Sequence, residues 1–137
     1  MVFGIDKVMY YWRREFVNER LGLSPGQSYR LIPATESGRI RSDSVLSLLN
    51  RSRVGVRDAL TAVPADLLTP ERTAARFADS GVTERDLRRW IRRTRNPAPH
   101  FRLNRNTVRF SAGLLEAWLA ETSVTHGAWH RKRKEVA

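Results

Sequence analysis

Cysteine is absent from all 137 residues, so no disulfide and no thiolate-bound metal can hold this chain together. A chain without disulfides suits a reducing interior, and the expected location is the bacterial cytoplasm or nucleoid. No apolar run approaches the roughly 20 residues needed to cross a bilayer. The amino terminus lacks the basic-then-apolar layout of a secretion signal, so a membrane is not an expected partner. Paired carboxylates, a Gly-x-Ser-x-Gly turn and a phosphate-cradling glycine loop are all missing. The tyrosines are Tyr10, Tyr11 and Tyr29, so the late nucleophile of a tyrosine recombinase is missing as well. His126 and His130 stand four residues apart, but Gly127 weakens any helix between them and no carboxylate completes a ligand set. The expectation is a protein that is not an enzyme, with no catalytic residues, no metal site and no cofactor.

Lysine is scarce and arginine abundant. Of 25 basic side chains only Lys7, Lys132 and Lys134 are lysines, and against 14 acidic residues the formal net charge is +11. Arginine carries a planar fork that matches phosphate and guanine. A GC-rich genome yields the same preference for arginine, but it does not yield the net charge. That charge is uneven: residues 1–66 hold ten basic and seven acidic side chains, residues 67–137 fifteen and seven. Residues 84–109 alone hold nine arginines against Glu84 and Asp86. A field of this sign implies a polyanionic partner.

The chain divides at Pro64-Ala65-Asp66 into a helical N-terminal region (1–66), a compact unit (67–122) and a basic tail (123–137). In the first region, Ile5, Val8, Met9, Trp12 and Phe16 form one stripe of a 3.6-residue period, which predicts a helix over 4–22 closed by Gly22. The stripe is read as core, with a dimer contact as the alternative. Ser24-Pro25-Gly26 reads as a turn, 29–32 as a short strand and 33–41 as a loop. Residues 43–50 and 54–63 read as two short helices, with Ser42 or Asp43 capping the first. With Arg51, Arg53 and Arg57 around their junction, these helices form either a second DNA-binding pair or, the favoured reading, a hairpin packed on the C-terminal unit. No internal repeat is visible.

Residues 67–121 carry the strongest pattern. Thr69-Pro70 starts a helix with an N-cap hydroxyl followed by proline at its first position. Ala74, Phe77 and Ala78 face inward, and Asp79-Ser80-Gly81 ends the helix. Thr83 opens a second helix, with Asp86 three residues on completing a capping box. At 100° per residue Leu87, Trp90 and Ile91 share one face; Arg85, Arg89 and Arg92 lie opposite, with Arg88 and Arg93 on the flanks. Such a helix can dock on its apolar side and reach phosphates and base edges with the other. Asn96-Pro97-Ala98-Pro99 stops it. Residues 100–103 and 107–110 alternate as two strands joined by Asn104-Arg105-Asn106, a basic tip. Ser111 then caps a closing helix whose Leu114, Leu115, Trp118 and Leu119 read as core.

In this order, LLTPERTAARF, VTERDLRRWIRR, the PAP linker, TVRF and SAGLLEAWLAE resemble the phage excisionase and MerR-like winged helix-turn-helix domains. The likeness covers about 55 of the 137 residues. It implies that the helix from Thr83 enters the major groove and that the ribbon around Arg105 acts as a wing. Ala78-Asp79-Ser80 makes the connection between the two helices longer than the family's short glycine-centred turn.

The expected fold is mainly α: a winged helix-turn-helix with a small two-stranded wing, preceded by a helical N-terminal region. The expected partner is double-stranded DNA, with self-association and an integrase as further candidates. The expected contacts are Thr83, Arg85, Arg88, Arg89, Arg92, Arg93, Arg95, Arg102, Asn104, Arg105, Asn106 and Arg109. Arg51, Arg53 and Arg57 are secondary candidates, as are Arg131, Lys132, Arg133 and Lys134, the last four in a tail that either grips phosphates or merely solubilises. Three functions fit this set. They are a sequence-specific regulator (a repressor for a phage or mobile element), an excisionase that bends DNA beside an integrase, and a non-specific nucleoid or RNA-binding protein.

Overall fold

The computed structural model describes residues 10–122. Among them six α-helices are interleaved with six short strands. The first half runs β1 (Tyr11–Trp12), α1 (Arg14–Leu21), α2 (Pro25–Leu31), β2 (Ile40–Arg41), α3 (Ser42–Ser52) and β3 (Arg53–Val54). The second runs β4 (Leu67–Leu68), α4 (Pro70–Arg76), α5 (Glu84–Ile91), β5 (His100–Asn104), β6 (Thr107–Ser111) and α6 (Ala112–Thr122). β1 and β2 pair antiparallel, and a four-stranded antiparallel sheet has the order β3-β5-β6-β4. None of these helices is long and apolar enough to cross a membrane.

Local chemistry explains most helix boundaries. The Thr69 hydroxyl accepts from the Arg72 amide at 3.2 Å, and Pro70 occupies the first turn of α4, where its missing N–H costs nothing. Past Arg76 the chain tightens into a 3-10 turn, Ala78–Ser80, before Gly81 reverses it at φ 78°. α5 starts at a full capping box: the Thr83 hydroxyl accepts from the Asp86 amide at 3.2 Å, and the Asp86 carboxylate accepts from the Thr83 amide at 3.0 Å. α6 is capped from a distance, by the Asp66 carboxylate, which takes bonds from the Ser111 hydroxyl and the Gly113 amide.

The β5–β6 hairpin is the wall of the molecule. Side chains alternate across a strand, and here both faces are covered. Phe101 and Leu103 join Val17, Leu21, Leu23, Ile32, Ile40, Val45, Leu48 and Leu49 in one apolar cluster. Val108 and Phe110 point the other way, into a cluster with Phe77, Val82, Leu87, Trp90, Leu115 and Trp118. Full burial of each such side chain contributes about 1.5–3 kcal/mol, so the hairpin joins the halves as firmly as it completes its own unit. β3 adds to this by pairing with β5, Arg53 opposite Phe101. Pro64-Ala65-Asp66 is therefore a crossing between two clusters that share one hairpin.

Several expectations for the first half are corrected. Within 4–22 the described helix is only Arg14–Leu21; Trp12 lies in a strand, Phe16 is exposed, and the buried residues are Arg14, Val17 and Leu21. The Ile5, Val8 and Met9 part of the stripe lies outside the described residues. Residues 29–32 are not a strand: the Ser24 hydroxyl and the Gln27 side chain form a capping box with Pro25 in the first turn, and α2 follows. The helix expected over 43–50 is present as α3, but none forms over 54–63. Gly55 adopts φ 73° there, and the Asn50 side chain holds both the amide and the carbonyl of Leu60, at 2.7 and 3.1 Å. The apolar spacing of Val56, Leu60 and Val63 packs an irregular loop against the core instead. Without the second helix, a helix pair over 43–63 does not exist.

A similar element order nevertheless occurs twice among the described residues, as β1-α1-α2-β2-α3 and as β4-α4-α5-β5-β6-α6, the second with the extra strand β5 and a 3-10 turn between its first two helices; β1 pairs antiparallel with β2 as β4 does with β6.

Candidate nucleic-acid interface

The α5 helix presents the two faces expected of it. Leu87 is fully buried and Trp90 nearly so, while Arg85, Arg88, Arg89 and Arg92 are exposed. Trp90 packs against Trp118 of α6 with ring centroids 5.4 Å apart, and the Trp118 indole N–H donates to the Asn96 carbonyl at 3.2 Å. This contact anchors the end of α5, where Asn96 turns the chain at φ 48°. The Arg93 guanidinium lies 5.6 Å from the Trp118 ring centroid, a cation–π contact that holds it at the helix end.

Two acidic groups organise the arginines without neutralising the face. Asp86 is wholly buried, caps the helix and holds Arg89 at 3.0 Å; Glu84 holds Arg88 one turn on at 3.3 Å. The arginine ends of both pairs stay mostly exposed, so each pair contributes little to stability. Arg85 and Arg92 complete a shallow groove of about 530 Å³ with Arg88, Arg89 and Glu84.

Between α5 and the hairpin lies a cleft of about 410 Å³, lined by Arg88, Arg92, Arg102, Arg105 and Asn106 over an apolar floor that includes Ile91 and Val108. No acidic side chain lines it. At the hairpin tip the Asn104 side chain accepts from the Asn106 amide at 2.9 Å, and Arg102 donates back to the Arg105 carbonyl at 3.3 Å. These bonds stiffen the tip and leave the exposed Arg105 side chain at its apex. Thr83 caps α5 by accepting from the Asp86 amide and is itself exposed, and Arg95 is exposed just beyond α5.

Arg109 is a correction. Its residue is only 7% exposed, and its guanidinium crosses to the other face of the hairpin. There Nε donates to the Leu21 carbonyl at 2.6 Å, one Nη to Gly22 at 2.7 Å and the other to Val108 at 2.7 Å. Burial pulls its pKa below the ordinary arginine value. It closes the C-terminal end of α1, where carbonyls lack helical partners, so its guanidinium is engaged with backbone there even though the residue also borders the cleft. The strand pattern offered one clue: Thr107, Arg109 and Ser111 occupy the same face of a strand whose five residues are all buried.

The secondary arginines gather elsewhere. Arg53 donates to the Val56 and Arg57 carbonyls, and Arg57 pairs with Glu121 of α6 at 3.2 Å, while Arg51 is exposed at the end of α3. They line neither the α5 groove nor the cleft. Arg131, Lys132, Arg133 and Lys134 lie outside the described residues. Sequence reasoning passed over Asp66, Arg14 and Gln27, because each acts through a partner distant in the chain. No family model, curated protein or solved structure matches the chain.

Proposed function

We propose that this chain is a sequence-specific double-stranded DNA-binding protein, built on a winged helix-turn-helix in residues 67–122, that acts as a transcriptional regulator, a repressor of a phage or mobile element. One observation carries the reading: a helix anchored by the buried Leu87 and Trp90 exposes Arg85, Arg88, Arg89 and Arg92 along one side, and two of these, Arg88 and Arg92, line a cleft without acidic groups whose opposite wall is the arginine-bearing hairpin. In this reading α5 lies in the major groove. Arg85, Arg89 and Arg92 reach base edges or phosphates, and Arg105 at the hairpin tip meets the adjacent backbone or minor groove. Each arginine on a phosphate releases counterions, so binding weakens steeply with salt.

The test is selection of bound duplexes from a random pool, followed by footprinting and titration at several salt concentrations. Arg85→Ala, Arg89→Ala and Arg92→Ala are expected to cost about 1–3 kcal/mol each on the selected site wherever the side chain contacts a base. A loss of the same size on scrambled duplex assigns that arginine to phosphate. One or two promoter-proximal sites support a regulator; several tandem short sites with induced bending favour an excisionase. Equal affinity for selected and scrambled duplex at physiological salt overturns the proposal.

A further inference from the structure

The repeated element order extends to details that bear on recognition. In the first unit Gly22 turns the chain at φ 67°, Leu23 is buried, and Ser24 caps α2 in a box with Gln27. In the second Gly81 turns it at φ 78°, Val82 is buried, and Thr83 caps α5 in a box with Asp86. The strand registers agree: Trp12 faces Ile40 and Tyr11 faces Arg41, as Leu68 faces Phe110 and Leu67 faces Ser111. Each return strand runs straight into a helix, α3 or α6, whose buried Val45 and Leu115 stand at the same offset from Ile40 and Phe110. The long hairpin of the second unit is replaced in the first by a tight turn, with the Thr35 amide bonded to the Arg39 carbonyl at 2.8 Å and Gly38 to Thr35 at 2.9 Å. α2 is thus the positional counterpart of α5.

We propose that the outer face of α2 is a second duplex-contacting surface, so that a single chain reads two adjacent segments of one asymmetric site. The inference rests on α5 being the first such surface. Three observations support it. Gln27 donates to the Thr107 hydroxyl at 3.2 Å, which seats the first turn of α2 beside the tip of the hairpin whose other face lines the α5 cleft. Both helices therefore flank one hairpin. Next, Tyr29 is 69% exposed, yet its ring is held by the buried Arg14 guanidinium 4.1 Å from its centroid, while Arg14 itself bonds the Ser28 hydroxyl and the Ile32 carbonyl. A phenol fixed outward over a positive charge is a ready donor to a phosphate oxygen. Finally, Arg30 is exposed beside it, and Arg39 is exposed in the turn that stands where the wing would be.

The two surfaces differ in strength. α2 exposes one arginine where α5 exposes three, with Arg92 at its C-cap a fourth, so α5 supplies most of the affinity and α2 adds register and length. Two unlike units in one chain need no second copy, whereas a symmetric dimer would call for a palindromic site.

The experiment uses the full chain on a duplex selected with the wild-type protein. Native mass spectrometry gives stoichiometry, hydroxyl-radical footprinting gives extent, and affinities are measured for Arg30→Glu, Arg39→Glu and Arg85→Glu, all exposed positions where folding is checked by circular dichroism. The expected result is one chain per non-palindromic duplex. Arg30→Glu should weaken binding ~10-fold and erase protection at one end of the footprint, with Arg39→Glu acting at that same end. Arg85→Glu should erase the other end. If Arg30→Glu and Arg39→Glu leave affinity and footprint unchanged while Arg85→Glu abolishes both, the second surface is overturned and the α5 reading stands. Two chains on a palindromic site would make the first unit a pairing surface for a second copy and overturn the proposal. No effect from any of the three overturns both readings.

Discussion

Arg109→Met removes a guanidinium while keeping a side chain of similar length in its slot. Two long-range bonds are lost, to the Leu21 carbonyl at 2.6 Å and the Gly22 carbonyl at 2.7 Å, together with the local bond to Val108. A hydrogen bond from a charged donor nets about 1.5–3 kcal/mol, so the long-range pair represents about 3–6 kcal/mol. Part of this is offset, because the same burial that lowers the Arg109 pKa makes the charge costly to hold, and methionine has no such cost. The expected net loss is about 2–4 kcal/mol. With a urea slope of about 1–3 kcal/mol per molar, the unfolding midpoint should fall by roughly 1–2 M. DNA affinity should be unchanged when measured where the variant is folded, because none of the three bonds faces the α5 groove. A variant with wild-type urea midpoint and lost DNA binding would show that Arg109 reaches the duplex, and would refute its assignment as the tie between α1 and the hairpin.

Two further outcomes test the packing. His100 is buried and its Nδ1–H donates to the Ala98 carbonyl at 2.7 Å; burial first, and then the Arg102 charge, lower its pKa below 6.5 against a raising effect from that bond. The unfolded chain takes up a proton at this site as pH falls below about 6.5 while the folded ring resists it, so stability is full above that pH and declines beneath it until the folded ring protonates. Urea midpoints between pH 7.5 and 5.5 should therefore drop more for wild type than for His100→Gln, and parallel curves would contradict the assignment. Gly55→Ala should destabilise by about 1–3 kcal/mol in thermal unfolding, since Gly55 has φ 73° and a Cβ there would sit 2.6 Å from the Pro97 carbonyl oxygen. An unchanged melting temperature would mean that this corner moves freely.

The legible parts of this chain are those whose causes are local. Thr69-Pro70, Thr83 with Asp86, and the alternation of residues 100–110 act within one or two turns, and the structure has α4, α5 and the hairpin where these signals place them. The first half misled because its signals compete. Tyr29 and Ile32 look like strand formers, but Ser24, Pro25 and Gln27 form a helix start that prevails over them. The stripe through Trp12 and Phe16 has helical spacing, yet Trp12 pairs with Ile40 in a strand and leaves Phe16 outside.

The sequence by itself determined the charge, the caps and the two faces of α5, because each depends on residues a few positions apart. Which arginines face outward was decided only by tertiary structure. The period of a strand assigns Arg109 to a face without saying what covers that face, and here α1 covers it. The repeat was hidden for the same reason. Its two copies share a pattern of pairing, glycine turns and capping boxes built from different residues, and the partners that define that pattern meet only once the chain has folded around the hairpin.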